Sequence, residues 1–293
     1  MRFTASILLR VAAGVTLGLS MNMIASAATP RAKLADTVAQ IEQSLDARVG
    51  VAVVDTGSGE AWTHRPDERF LMNSTAKVPI CGAILAQADD GELALSETLP
   101  VHESDLLSYA PVTSEHVGDR MSLTQLCLAA LDMSDNTASN LLLDRLGGPE
   151  VVTELFRNAD DPVSRLDRRE PEMNSFAKGD PRDTTTPIAM AETMRALLLG
   201  DVLTPASREQ LAEWMSHGAV TQELLRSHAP DGWVIADKSG SGSQTRNIIA
   251  LISPPNAAPW IVTIFISDAK ADFATRNAAL KEVSAAVMAM IRS

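Results

Sequence analysis

The most restrictive feature of this chain is the order of its secondary-structure signals, because strand patterns lie near both ends and helix patterns fill the middle. Near the N-terminus, the Val-rich residues 48–56 lead through Gly57-Ser58-Gly59 to a second strand pattern at 61–64. Strand patterns return near the C-terminus, at residues 233–238, 248–252 and 260–267. We therefore expect one sheet that is built from both ends of the chain.

Helix signals lie between and outside these strands. Four predicted helices fall between the two groups of strands, at residues 74–88, 122–132, 136–146 and 187–200. Two more flank the strands, one over residues 32–46 and one with apolar positions Leu280, Val283, Val287 and Ile291. The predicted fold class is α/β: an antiparallel sheet flanked by terminal helices (residues 28–66 and 215–293), with an all-α lobe (67–214) inserted into it.

One long segment has no regular period. Residues 158–186 are rich in Asp, Arg and Pro, and loops of this length are usually functional or disordered. The paired charges favour an ordered loop, in which Arg168 and Asp183 could pair.

The N-terminus is typical of a secretory signal. An apolar stretch from Ile7 to Leu19 follows Arg2, and the small residues Ala25-Ser26-Ala27 lie where a signal peptidase cleaves. Residues 1–27 are therefore predicted to be a signal peptide, and residues 28–293 a single exported domain, periplasmic or secreted. The stretch is too short and interrupted to be a stable membrane anchor.

Charge and composition exclude several functions. The formal charge is −12, and it becomes about −14 without residues 1–27. No basic run occurs, so nucleic acid is not an expected partner. The five histidines lack metal-ligand spacing, and no nucleotide-binding glycine motif or G-x-S-x-G elbow is present. We expect no metal, no cofactor, a small-molecule substrate and a monomer.

Cys81 and Cys127 are the only cysteines. In an oxidising compartment a pair is more often bridged than free, which favours a disulfide. The alternative is two buried thiols that act as small apolar residues.

Four short motifs carry the chemistry. Ser74-Thr75-Ala76-Lys77 could place an amine one helical turn from a serine hydroxyl, which needs a base to become a nucleophile. An isolated S-x-x-K is more often a helix cap, and two further copies occur at 175–178 and 267–270. The companion motifs decide the interpretation.

The other three motifs could supply a proton relay, a binding site for a substrate carboxylate and a binding site for a water molecule. In Ser134-Asp135-Asn136, Ser134 could pass a proton to a leaving nitrogen and Asn136 could bind an amide. Lys238-Ser239-Gly240, with Arg246, could bind a carboxylate. Glu170 and Asn174 could together hold a water that attacks an acyl-enzyme.

With these motifs the chain resembles the class A serine β-lactamases, for which S-x-x-K, S-D-N and K-T-G are known motifs. The likeness covers essentially all residues after 27. It implies a two-lobed serine β-lactamase/transpeptidase-like fold. It also implies hydrolysis of the β-lactam amide of penicillins, extending to early cephalosporins, which confers antibiotic resistance.

The resemblance also implies a role for each residue. Ser74 would form the acyl-enzyme, with Lys77 and Glu170 as candidate bases, and Ser134 would protonate the leaving nitrogen. Backbone amides of Ser74 and Ser241 would form an oxyanion hole. The resemblance implies the substrate-binding set Asn136, Asn174, Lys238, Ser239, Ser241, Arg246 and, at the rim, Tyr109. Residues 165–183 match the family's omega loop, and Cys81 with Cys127 matches a disulfide of some members.

Some residues depart from common family patterns. Ser239 stands where many members have Thr, and Asn73 stands where a less polar residue is frequent. Neither Asn73 nor Gly242 is a cysteine, so the extra disulfide of one carbapenem-hydrolysing group cannot form. Carbapenem hydrolysis is therefore not expected.

Pro79 should loosen the first turn of the helix that begins at Ser74, because proline cannot donate a backbone hydrogen bond.

Three alternatives remain open. A D-alanyl-D-alanine carboxypeptidase, a penicillin-binding enzyme, shares the nucleophile, the relay serine and the lysine, but generally lacks the pair Glu170 and Asn174. A non-catalytic β-lactam sensor is expected to carry a membrane segment and a signalling domain, which the sequence to Ser293 does not show. A degenerate exported binding protein would keep only the fold.

Overall fold

The computed structural model of the protein describes residues 29–293. The predicted signal peptide, residues 1–27, lies outside the described residues. Those residues form eight α-helices: α1 (Pro30–Leu45), α2 (Lys77–Asp89), α3 (Leu123–Asp132), α4 (Asn136–Leu146), α5 (Pro149–Asn158), α6 (Pro187–Leu198), α7 (Pro205–Ser216) and α8 (Phe273–Ile291). No helix within residues 29–293 is long and apolar enough to cross a bilayer.

The same residues form nine strands: β1 (Arg48–Asp55), β2 (Ala61–His64), β3 (Phe70–Leu71), β4 (Thr98–Pro100), β5 (Arg120–Ser122), β6 (Thr184–Thr185), β7 (Val234–Ser241), β8 (Arg246–Ser253) and β9 (Trp260–Ser267). Five of them make one antiparallel sheet in the order β2-β1-β9-β8-β7. Both ends of the chain thus contribute to one sheet, and the predicted α/β fold class is confirmed.

The sheet is buried on both faces, and strand β1 shows how. Val49, Val51 and Val53 pack in an apolar cluster with residues of α1 and α8. Ala52 and Val54 belong to a second cluster, which is made mostly by the helical middle of the chain. Because successive side chains of a strand point to opposite faces, a Val-rich run satisfies both clusters at once.

Helix α2 begins later than the sequence predicted. Residues Asn73–Ala76 form a 3₁₀ turn, and the α-helix starts at Lys77. Pro79 is therefore the third residue of α2. The first backbone N–H groups of a helix have no partner within it, so proline is tolerated there. The turn at Ser74 is thus 3₁₀ rather than α-helical, and Pro79 interrupts no hydrogen bond within α2.

Two α-helices and four short strands were not predicted: α5, α7 and the strands of the ladders β3–β6 and β4–β5. Gly147 and Pro149 were interpreted only as a stop signal. Gly147 does end α4 with a positive φ of 95°, but Pro149 is also the first residue of α5. Proline favours that position because its fixed φ suits the first helical turn.

The expected disulfide is not present in the structure. Cys81 and Cys127 are both buried free thiols, and the Sγ of Cys81 lies 3.8 Å from the Cys127 carbonyl oxygen. The cysteines pack between α2 and α3 as small apolar residues, which is the alternative that the sequence left open.

Gly50 sets how closely the helical middle can approach β1. A Cβ atom at Gly50 would overlap the Phe70 ring and lie 2.7 Å from Cγ of Pro187. The Phe70 ring cannot easily move, because it stacks on Phe265 at 5.9 Å and lies under the Arg48 guanidinium at 4.7 Å.

We therefore expect Gly50→Ala to lower the free energy of unfolding by about 1–3 kcal/mol, measured by urea denaturation. The matched variant is Phe70→Leu. If the overlap is the cause, the double variant loses less stability than the sum of the two single variants. Additive losses would contradict this explanation.

Candidate active site

A cleft of about 280 Å³ opens where β7 faces the helical middle of the chain. Of the eleven residues predicted for the site, eight line this cleft: Ser74, Tyr109, Ser134, Asn136, Asn174, Ser239, Ser241 and Arg246. The other three, Lys77, Glu170 and Lys238, are buried. The structure therefore brings the four motifs together at one place.

The nucleophile candidate lies on the 3₁₀ turn that precedes α2. Ser74 is only 9% exposed, and the turn is held by the Oγ1 of Thr75, which donates to the Met72 carbonyl at 2.8 Å. Strand β7 runs directly against this turn. A Cβ at Gly240 would lie 2.9 Å from the Met72 carbonyl oxygen and 3.1 Å from the Ser74 nitrogen. Glycine is therefore required there for the close approach.

Two lysines converge on one serine. The Nζ of Lys238 donates to the Oγ of Ser134 at 3.0 Å, and the Nζ of Lys77 lies 3.4 Å from the same oxygen. Lys77 also donates to the Ser134 carbonyl at 2.7 Å and to the Oδ1 of Asn136 at 2.6 Å. The hydroxyl of Ser134 is thus placed to exchange a proton with either ammonium group.

The loop that carries Ser134 is held in a strained conformation. Ser134 has a φ of 59°, which is unusual for a residue other than glycine. The buried carboxylate of Asp135 accepts hydrogen bonds from the amides of Val112, Thr113 and Ala138, each at 2.9 Å. The same carboxylate thus connects Val112 and Thr113 to the start of α4. Tyr109, which shortly precedes them, lies at the rim and is 46% exposed.

Glu170 is held by α4 and by its own loop. The Asn140 side chain accepts from the Glu170 amide at 2.9 Å and donates to the Glu170 carbonyl at 2.8 Å. The Nδ2 of Asn174 donates to the Oε2 of Glu170. The Oε1 of Glu170 has no hydrogen-bond partner in the protein, although the Nζ of Lys77 lies 3.3 Å away as an ion pair.

The base of the long loop is closed by the pair that the sequence suggested. Arg168 forms an ion pair with the fully buried Asp183. Asp183 also accepts from the backbone amides of Asp167 and Arg168, at 2.8 and 2.9 Å. A carboxylate that accepts three hydrogen bonds is well compensated for its burial, so the loop is ordered.

Arg246 provides a cation at the opposite wall. Its guanidinium donates to the Gly240 carbonyl at 3.1 Å and to the Oδ1 of Asn277 at 3.0 Å. The Phe273 ring lies over it at 5.3 Å. These contacts orient the planar group towards the cleft that Ser239 and Ser241 also line.

Comparison with known proteins agrees with this geometry. Residues 33–291 match the beta-lactamase enzyme family. A β-lactamase of Rhodobacter capsulatus is 60% identical over the whole of both chains, and the β-lactamase L2 of Stenotrophomonas maltophilia is 45% identical, over 88% of this chain and 86% of its own.

Solved structures give the same result. A β-lactamase from Xanthomonas campestris superposes with a TM-score of 0.86 at 44% identity, covering 90% of this chain and 99% of its own. A class A β-lactamase described as the last common ancestor of Gram-negative bacteria gives 0.85 at 47% identity, over 89% and 100%. This chain belongs to the class A β-lactamases. It is a hydrolase that acts on β-lactams.

Burial changes the acid–base properties of the lysines in this β-lactamase. Desolvation lowers the pKa of Lys77, and the carboxylates of Glu170 and Asp135 partly oppose that shift. Desolvation holds the pKa of Lys238 well below its usual range, and the positive charges of Lys77 and Arg246 add to the effect. Burial lowers the pKa of Arg246 to about 10, which leaves the guanidinium charged at neutral pH.

Several functional residues were not identified from the sequence. Asn140 holds the backbone of Glu170, Asp135 shapes the serine loop, and Val220 and Phe273 complete the wall of the cleft. Asn140 and Phe273 lie on helices whose period gives no sign of a site. Only the packing of those helices against the loop and β8 places them there.

The cleft is not the most voluminous cavity in the described residues. A cavity of about 370 Å³ lies behind the long loop, lined in part by Arg48, Arg69 and Lys178. None of the residues predicted for catalysis reaches it. The convergence of the predicted nucleophile, the lysines and the carboxylate, rather than cavity volume, makes the cleft the candidate active site.

The lysine pKa shifts can be measured directly. The chain contains six lysines, so ¹³C NMR of protein labelled at lysine Cε gives few signals. With Lys77→Arg and Lys238→Arg used for assignment, we expect both signals to titrate below the ordinary value of about 10.4. The sign follows from burial, which disfavours the charged form. Titration of both lysines at or above that value would contradict this electrostatic picture.

Proposed function

We propose that this β-lactamase hydrolyses penicillins and early cephalosporins through an acyl-enzyme on Ser74, which water activated by Glu170 then releases. The observation that carries the proposal is the convergence of Lys77, Ser134 and Glu170 behind the nucleophile turn. Acylation and deacylation each require proton transfer, for which Lys77, Ser134 and Glu170 are the groups that we assign.

In acylation, the Oγ of Ser74 bonds to the β-lactam carbonyl carbon and loses its proton to a base. The candidate bases are Lys77 and Glu170. Burial favours the neutral amine of Lys77, which is the form that can accept a proton. Glu170 could act instead through a water. The carbonyl oxygen becomes an oxyanion, which the backbone amides of Ser74 and Ser241 would stabilise.

Collapse of this intermediate breaks the carbon–nitrogen bond of the ring, and the nitrogen needs a proton. Ser134 is the donor that we assign, because its hydroxyl can be reprotonated from Lys77 or Lys238, which lie 3.4 and 3.0 Å away. Lys238, Ser239, Ser241 and Arg246 would hold the substrate carboxylate, and Asn136 its acylamino group. Tyr109 would contact the substrate at the rim.

In deacylation, a water donates a proton to Glu170 as its oxygen bonds to the ester carbon. The tetrahedral intermediate then breaks its bond to the Oγ of Ser74, which leaves as a hydroxyl after taking up the proton from Glu170. The Oε1 of Glu170 suits this role, because it accepts no hydrogen bond although it lies 3.3 Å from Lys77, whereas Oε2 is already bound by Asn174. Asn73 and Gly242 cannot form a disulfide across the cleft, so we propose no carbapenem hydrolysis. We also propose export after cleavage of residues 1–27, and a monomeric state.

The nucleophile is tested with two serine variants. Ser74→Ala should lower kcat for benzylpenicillin at least about 10⁴-fold, because no covalent intermediate can form. Ser175→Ala is the matched control, since Ser175 is exposed and also begins an S-x-x-K sequence. Ring opening is followed by absorbance. Full activity of Ser74→Ala would refute the assignment.

The deacylation role is tested with two glutamate variants. Glu170→Ala should accumulate an adduct with the mass of one penicillin, because acylation outpaces hydrolysis when the water lacks its base. Intact-mass spectrometry within seconds of mixing detects it. Glu172→Ala, an exposed glutamate of the same loop, should turn over without an adduct. Rapid turnover of Glu170→Ala with no adduct would show that Glu170 is not the base.

A further inference from the structure

Asn73, immediately before the nucleophile, connects the sheet to the deacylation residues. It is fully buried and has a φ of 51°, in the left-handed region. Its Oδ1 accepts from the Oγ1 of Thr245 at 2.7 Å and from the Nδ2 of Asn247 at 3.1 Å. Its Nδ2 donates to the Oδ1 of Asn174 at 3.0 Å.

The polarity of this chain of amides is determined by the backbone at one end. The Nδ2 of Asn247 also faces the carbonyl oxygens of Leu71 and Met72, at 2.8 and 3.1 Å. An amide oxygen could not occupy that position, because it would face acceptors only. Asn247 must therefore donate to the Oδ1 of Asn73.

The orientation of Asn247 in turn determines those of Asn73 and Asn174, up to Glu170. Because the Oδ1 of Asn73 points to Asn247, its NH₂ group points to Asn174 and can only donate. The Oδ1 of Asn174 must accept that bond, so its own NH₂ group faces the Oε2 of Glu170. An Asn174 amide turned over by 180° would place its oxygen against the Glu170 carboxylate, which is repulsive.

We propose that Asn73 is a positioning residue for deacylation: together with Glu170 it fixes the orientation of the Asn174 amide, which binds Oε2 and leaves Oε1, beside Lys77, able to accept a hydrogen bond from water. This inference rests on the proposed roles of Glu170 and Asn174. Asn73 does not touch the reacting atoms. It acts through Asn174, and with Lys77 as the acylation base no acylation step depends on that amide.

Slower deacylation has a distinct kinetic signature. In a two-step acyl-enzyme mechanism, slowing only the second step lowers kcat and KM together and leaves kcat/KM unchanged, while the acyl-enzyme accumulates. A merely structural role for Asn73 would lower the active fraction or kcat/KM without an adduct. The two interpretations therefore differ in what is measured.

The test uses Asn73→Asp and Asn73→Gly. Aspartate keeps the acceptor for Thr245 and Asn247 and tolerates positive φ, but cannot donate to Asn174 when ionised. Glycine removes the amide without adding a charge and suits the same φ. With benzylpenicillin, we expect kcat and KM of both variants to fall together about 10- to 100-fold, with an acyl-enzyme mass at steady state.

The matched control is Thr263→Val, which removes the buried hydrogen bond from Thr263, in β9, to the carbonyl of Pro187 and lies outside the row of amides. It should lower the melting temperature without an adduct. If Glu170→Ala accumulates adduct but both Asn73 variants turn over without one, the positioning role is wrong. If Glu170→Ala itself turns over normally, the proposed deacylation mechanism fails and this inference fails with it.

Discussion

The burial of two lysines behind one small cleft is the constraint on which the rest of the site depends. Lys77 and Lys238 are both fully buried, and an ammonium group taken out of water must find acceptors close by. Ser134 and Asn136 supply them from the helical middle, and Glu170 supplies a carboxylate from the long loop. The buried charges are therefore compensated only where the helical part, the loop and β7 come together.

The site can form only against a rigid support. The central sheet is that support, because apolar clusters cover both of its faces. Two glycines allow the approach: Gly50 admits Phe70 and Pro187 against β1, and Gly240 admits the nucleophile turn against β7. Two residues of the site also have strained backbone conformations. Ser134 and Asn73 keep positive φ values because several buried hydrogen bonds hold each neighbourhood in place.

Much of the fold was predictable because its signals are local. The strands near both ends follow a Val- and Ile-rich pattern between turns, and α4 was predicted with its observed limits, Asn136–Leu146, from its capping residues. The prediction of secondary structure failed where a local signal is ambiguous or too short to detect. Pro149 was interpreted as a stop although it begins α5, and two-residue strands such as β3 have no period to detect. The cysteines were expected to be bridged, whereas the structure has them as free thiols.

The sequence by itself determined which chemical groups are available and in what order: a serine with a lysine one turn away, a second serine, a glutamate with an asparagine, and a second lysine. Motif residues are local, so a pattern reveals them. The tertiary structure alone decided that these groups meet, that burial lowers the pKa of both lysines, and that Asn73 orients Asn174. Those properties depend on desolvation and on contacts between residues distant in the chain, such as Asn73 and Asn247, which no local pattern encodes.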